Sequence, residues 1–213
     1  MTLSLHISKP AVTQARRPGR HLRSLAFTLA LGLALAALSP AAFAAWDLQQ
    51  LMESLAQSKS GRASFVEKKS IAMLDKPVES SGDLLFIAPD RLEKRTLKPQ
   101  PETMIVDGDE LVIERGRQKY QLQLQSYPEL AAFIDSIRGT LAGDRKALER
   151  NYRLSLEGAA ERWTLQLLPL DEKMQAVIKR IRIDGARAQV RSIEMTQADG
   201  DSSLMTIEKL ATP

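Results

Sequence analysis

The chain has no cysteine. Disulfides, a thiolate nucleophile and cysteine metal sites are therefore excluded. Histidine is almost as scarce, and both residues, His6 and His21, fall within residues 1–44. Beyond that segment the chain lacks the commonest general base and the usual metal ligand. Ser-His-Asp chemistry and histidine-bearing zinc sites go with them. Dense acidic groups occur at Asp107-Gly108-Asp109 and Asp199-Gly200-Asp201. Neither continues into the spaced ligands and closing Glu of a calcium loop, and both read as tight turns. No metal and no cofactor is expected. Aromatic residues make up only 5% of the chain, which leaves little with which to stack sugars.

Acidic residues are missing from residues 1–44, which hold Lys9, Arg16, Arg17, Arg20 and Arg23. An apolar run from Leu25 to Leu38 follows, then Ser39-Pro40 and the small-x-small end Ala42-Phe43-Ala44. These are the three parts of a secretory signal, with cleavage expected after Ala44. The run is shorter than the roughly 20 residues that span a bilayer as a helix. The Arg16-Arg17 pair is followed by Pro18-Gly19 and a very apolar run, which favours the general secretory route over the twin-arginine one. With no cysteine at the cleavage site, the chain is not itself expected to be a lipoprotein. Its expected location is the periplasm.

Charge changes meaning once this segment is set aside. The whole chain carries 30 Lys and Arg against 26 Asp and Glu. Five of the basic residues and none of the acidic lie in 1–44, leaving 25 against 26. Residues 45–213 thus have no basic footprint for nucleic acid. They suffice for a single domain with its own core. No later segment is long and apolar enough to cross a membrane as a helix.

Hydrophobic periodicity sets the expected elements. Trp46, Leu48, Leu51, Met52 and Leu55 recur at helical spacing, predicting a helix over 47–58. Strands follow at 63–73, 83–87, 91–97, 103–106 and 111–114, with Asp107-Gly108-Asp109 as a hairpin turn. Tyr120, Leu122 and Leu124 alternate with Lys119, Gln121, Gln123 and Gln125 as a half-buried strand. Pro128 opens a second helix, carrying Leu130, Phe133, Ile134, Ile137 and Leu141 on one stripe and ending at Gly143. Asp144 caps a shorter helix through Asn151. Tyr152, Leu154 and Leu156 mark one later strand, and Trp163, Leu165 and Leu167 another. One helical turn at 171–174, a strand pair 177–184 and 189–196 across Gly185, and a last strand at 203–209 complete the pattern. An antiparallel sheet covered by amphipathic helices encloses either an ordinary core or, if it curves away from them, an apolar cleft suited to acyl chains. Composition alone favours the core.

Particular stretches bear on that choice. Ser64-Phe65-Val66-Glu67-Lys68-Lys69 resembles the first strand of the LolA-like periplasmic lipoprotein carriers. Ser80 through Lys94 (SSGDLLFIAPDRLEK) and the hairpin Ile105 through Leu111 resemble their next strands. Leu141-Ala142-Gly143-Asp144, Trp163 and Asp199-Gly200-Asp201 are similar to a divergent LolA-related branch. The resemblance runs in order along nearly all of residues 45–213. It implies an α+β fold: an unclosed antiparallel β-barrel, in effect a curved sheet, with an N-terminal helix and a helical lid over its concave apolar face.

The resemblance also implies a cavity for the acyl chains of lipidated cargo. Its candidate lining is Phe65, Leu84, Phe86, Leu92, Met104, Val106, Leu111, Ile113, Leu122 and Leu124 from strands, with Trp163, Leu165 and Leu167. The candidate lid residues are Leu130, Phe133, Ile134, Ile137 and Leu141. Arg91 and Arg95 are candidates for the mouth, where they would meet phosphate or carboxylate headgroups. One departure stands out. The familiar carriers latch the lid with a basic residue before the strand-ending proline, whereas Ala88 precedes Pro89 here: either Arg91, the nearest base, substitutes from the neighbouring strand or the lid is latched differently.

Three functions follow for comparison. The first is a non-catalytic, monomeric periplasmic carrier that takes a lipoprotein or lipid from an inner-membrane donor to an outer-membrane acceptor. The second is a lipid-sensing or accessory regulatory module of an envelope biosynthesis machine, using the same fold. The third is a glycosidase working through paired carboxylates, for which acidic pairs scattered along the chain give no discriminating signal. The absence of histidine and cysteine beyond residue 44 favours the non-catalytic readings.

Overall fold

The computed structural model describes residues 46–209. The expected signal segment and its cleavage point lie outside the described residues. Among these, eleven antiparallel strands form one curved, unclosed sheet with helices on one face, an α+β architecture. The strands are β1 (Ser60–Ser70), β2 (Val78–Ile87), β3 (Arg91–Lys98), β4 (Glu102–Asp107), β5 (Glu110–Arg115) and β6 (Gln118–Gln123). The second set is β7 (Tyr152–Ala159), β8 (Arg162–Pro169), β9 (Ile178–Ala186), β10 (Gln189–Gln197) and β11 (Ser202–Lys209). The helices are α1 (Leu48–Ala56), α2 (Pro128–Ala142), α3 (Arg145–Asn151) and the short α4 (Glu172–Gln175).

Two meanders, β1–β6 and β7–β11, join where β1 pairs with β11, which leaves β6 and β7 as the two edges of the sheet. The chain must travel from one edge to the other between β6 and β7. That connection is α2 and α3. Its apolar residues pack against one face of the sheet, so the lid follows from topology as well as from amphipathicity.

Local chemistry fixes the helix ends. Asp47 Oδ1 accepts from the Gln50 amide at 2.9 Å, and the Gln50 side chain accepts from the Asp47 amide at 3.2 Å, a capping box. The helix it starts ends at Ala56, short of the expected 58. Pro128 occupies the first turn of α2, as expected, and Gly143 ends it at φ 68°. A Cβ there would also lie 2.1 Å from the Met52 carbonyl oxygen, so α2 ends against α1 where only glycine fits. Asp144 caps α3 through the Ala147 amide, 2.9 Å away.

Several strand boundaries differ from the periodic reading, and in each case the partner strand is the reason. β1 occupies Ser60–Ser70 instead of 63–73 because its ladder with β2 begins at Ser60–Ile87. β2 extends back to Val78, well before residue 83, because β1 pairs with it as far as Lys69–Val78. Leu124 leaves the strand for a 3-10 turn, Leu124–Ser126, in which its amide donates to the Asp109 carbonyl at 2.8 Å. It stays buried all the same. The β9–β10 turn falls at Arg187-Ala188, because Ala186 pairs with Gln189. Gly185 is therefore inside β9, beneath the Trp163 indole: a Cβ on it would lie 2.1 Å from Trp163 Cζ2.

Two apolar clusters hold the domain. Leu51, Met52 and Leu55 of α1, Leu148 of α3 and Tyr152 pack on Trp163, Leu165, Leu167, Met174, Ile178, Ile181 and Ile183. On the other half of the sheet, Val106, Leu111, Leu124 and Ile134 form a second cluster with Leu92, Met104, Ile113, Leu122 and Leu130 beside it. Fully burying a Leu or Ile side chain contributes about 1.5–3 kcal/mol, so each cluster is a substantial core.

Candidate ligand-binding face

Strand register decides which residues share a face, because side chains alternate at period two. Phe65 lies opposite Gly82 and Ala63 opposite Leu84, so Phe65, Leu84 and Phe86 point the same way. The same rows continue through Leu92, Lys94, Met104, Val106, Leu111, Ile113 and Leu122. In the other direction they reach Met205 and Ile207, then Ile193 and Met195, Ile181 and Ile183, and Leu165 and Leu167. This is the helix-covered, concave face. Val66, Ile87, Leu97 and Leu204 are on the opposite face, where they are exposed.

Burial divides the candidate lining into three zones. Trp163, Leu165 and Leu167 are at most 1% exposed beneath α1 and α3, so here they are closed core. Leu92, Met104, Ile113 and Leu122 are half-buried beside Val106, Leu111, Leu124 and Ile134. Phe133 packs against both clusters. Between them, Phe65, Leu84 and Phe86 on β1 and β2, with Met205 and Ile207 on β11, join neither cluster of the described residues. Ile137 and Leu141 of α2 are likewise half-buried and outside both. Phe65 and Phe86 are nonetheless buried, at 2% and 7% exposure, and Leu84 is half-buried, so the centre of the concave face is a shielded apolar patch outside the two clusters.

The buried side of α2 differs from the expected stripe. Besides Ile134 it comprises Ser136, Arg138, Gly139 and Thr140. Small residues there let α1 and α3 approach; a Cβ on Gly139 would lie 2.8 Å from Leu148 Cδ2. The two hydroxyls are satisfied within the helix, Ser136 Oγ by the Phe133 carbonyl at 2.6 Å and Thr140 Oγ1 by the Ser136 carbonyl at 2.7 Å. Tyr152 donates to the Ala132 carbonyl at 3.2 Å, and burial pushes its phenol well above the usual tyrosine range. A smaller opposing pull comes from the Ser136 hydroxyl, and the Asp135 carboxylate adds a further push upward.

Residues 39–211 match the family described as outer membrane lipoprotein carrier protein LolA-like. The chain belongs to this LolA-like family. No curated protein matches it in sequence. Among solved structures, a LolA superfamily protein from Nitrosomonas europaea aligns at 12% identity, over 79% of this chain and 96% of that one, with a TM-score of 0.43. A chain of the MucA/MucB complex of Pseudomonas aeruginosa aligns at 15% identity, over 78% of this chain and 56% of that one, at 0.43. LprF from Mycobacterium bovis aligns at 11% identity, over 78% and 93%, at 0.35.

In this LolA-like chain the tie between helix and sheet comes from the helix. Arg138, 9% exposed, donates from Nη2 to the Gly108 carbonyl in the β4–β5 turn at 2.5 Å. Its Nη1 lies 3.6 Å from Asp135, while Nε is buried with no hydrogen-bond partner among the described residues. Arg91 does not substitute for the missing base before Pro89. It pairs instead with Asp107 at 2.6 Å.

Arg91 and Arg95, expected at the mouth, share one side of β3. They alternate with Leu92 and Lys94 on β3, which turns them to the face opposite the concave one, and Arg95 pairs with Glu93 at 2.8 Å. The same alternation brings Lys94 onto the concave face, where it meets Glu67 of β1 at 2.5 Å. Neither residue is among the candidates read from the sequence, although Lys94 is two residues from Leu92 and Glu67 two from Phe65. Parity with those apolar neighbours was the signal. Among the described residues, no cluster of acidic residues fit for a metal ion occurs, and no helix is long and apolar enough to cross a membrane.

Proposed function

We propose that residues 45–213, freed of the signal segment 1–44, form a single-domain periplasmic carrier that holds the acyl chains of a lipoprotein or lipid. The observation that carries this reading is the apolar patch of Phe65, Leu84 and Phe86 on the helix-covered concave face, which belongs to neither core cluster of the described residues. Family membership supports it. Binding needs no catalysis: a buried methylene contributes about 0.8 kcal/mol, so one acyl chain offers ample affinity. Release requires the lid to yield, and part of that gain offsets its opening. The carrier, a monomer, would receive cargo from an inner-membrane donor and pass it to an outer-membrane acceptor.

Native mass spectrometry of the protein, drawn gently from a periplasmic extract of its own host, tests this. The expected result is an added mass that resolves into a lipid or an acylated peptide. A ligand-free protein that also ignores a fluorescent acyl probe would return the central zone to the core and favour the accessory-module reading.

A further inference from the structure

An ion pair borders this apolar patch. Lys94 Nζ lies 2.5 Å from Glu67 Oε2 and 4.9 Å from the centroid of the Phe65 ring. Ser80, directly across from Glu67, approaches the same carboxylate oxygen at 3.5 Å. Met205 flanks Glu67 on its other side. Both charged side chains are mostly shielded yet open enough to be met, at 28% and 19% exposure for Lys94 and Glu67. The pair therefore borders the floor formed by Phe65 and Leu84.

Two opposite charges set side by side in apolar surroundings constrain what else can enter. A ligand with one charge engages one member and strands the other, which is costly away from water. A ligand with both charges exchanges partners and leaves nothing stranded. On this basis, and resting on the acyl-binding reading above, we propose that the Lys94–Glu67 pair selects the headgroup of the bound lipid. Its match is a zwitterionic head, anionic group to Lys94 and cationic group to Glu67, with the acyl chain lying toward Phe65, Leu84 and Phe86. The cation–π contact with Phe65 keeps the ammonium over the floor during the exchange.

Three ligands with the same sixteen-carbon chain separate the contributions: hexadecylphosphocholine, hexadecyl phosphate and hexadecyltrimethylammonium, each titrated below its micelle concentration. The wild-type protein should bind the phosphocholine at least about tenfold more tightly than either singly signed ligand. Glu67→Gln, nearly isosteric, should move the preference to the phosphate, and Lys94→Gln should move it to the ammonium. Circular dichroism checks that each variant folds, and Glu67→Gln alone suffices if the other does not. Equal ranking of the ligands in all proteins, or a wild-type preference that the variants keep, overturns headgroup selection while leaving acyl binding intact. No binding of any of the three overturns both.

Discussion

Arg138 of α2 donates to the Gly108 carbonyl in the turn between β4 and β5, 2.5 Å away, and so ties the lid to the sheet from the lid's side. A hydrogen bond from a charged donor contributes about 1.5–3 kcal/mol. Gly108, the donor's target, is set by the turn, where it adopts φ 55°. The tie thus depends on a side chain of the helix and a main-chain group of the hairpin, so Arg138 can be changed without disturbing the hairpin.

Arg138→Met should therefore loosen α2 selectively. Amide exchange within α2 should accelerate roughly tenfold or more, the equivalent of losing about 1.5 kcal/mol. Amides of β8 and β9, held by the α1 cluster, should keep their protection. Unchanged exchange in α2, measured by mass spectrometry, would show that apolar packing alone holds the helix.

Trp163 and Gly185 make a second test, of the core. The indole occupies the space a side chain at 185 would need, and its Nε1 donates to the Arg187 carbonyl at 2.9 Å. Gly185→Ala should destabilise the domain by about 1–3 kcal/mol through overpacking. Pairing it with Trp163→Phe should recover part of that loss, a coupling that denaturant unfolding reads directly. Additive losses would mean that the indole moves aside freely.

Much of this arrangement is legible in the sequence, and what is missed has a physical pattern. Alternation brings Phe65, Leu84, Phe86, Leu92, Met104 and Val106 to one face, because period-two spacing survives small errors at strand ends. It does not fix those ends. The polar stretch Glu79-Ser80-Ser81 becomes strand because β1 supplies its hydrogen bonds, a long-range fact. The buried side of α2 is likewise hidden, since Ser136, Gly139 and Thr140 are chosen for smallness and only their neighbours α1 and α3 reveal it. Lys94 and Glu67 share the parity of Leu92 and Phe65, but only the strand register brings the two charges together.

Tyr152 provides a test by pH. An unfolded tyrosine loses its proton near pH 10, whereas burial raises the folded phenol far above that. Above about pH 10 the unfolded chain therefore holds fewer protons than the folded one at this site, and stability falls as pH rises. Tyr152→Phe removes this dependence. The wild-type and variant stabilities, measured by urea unfolding from pH 8 to 11, should converge or cross as pH rises. Parallel curves would mean that the phenol ionises as easily folded as unfolded.

Ile137 bears most directly on the carrier reading. It shares the helical stripe of Ile134, yet Ile134 is buried in a core cluster while Ile137 is half-buried and belongs to none. A carboxylate at 134 would strike the core. At 137 it would stay outside both clusters, at a half-buried position that water still reaches. Ile137→Asp should consequently cost little stability, about 1 kcal/mol or less, because its charge remains hydrated. A bound acyl chain would strip that hydration, so affinity for a fluorescent acyl probe should fall by about a hundredfold, roughly 2.7 kcal/mol. Ile134→Asp should instead unfold the half of the sheet beneath it. If Ile137→Asp binds the probe as the wild type does while remaining folded, the acyl chain lies elsewhere and α2 is a cover, not a wall of the site.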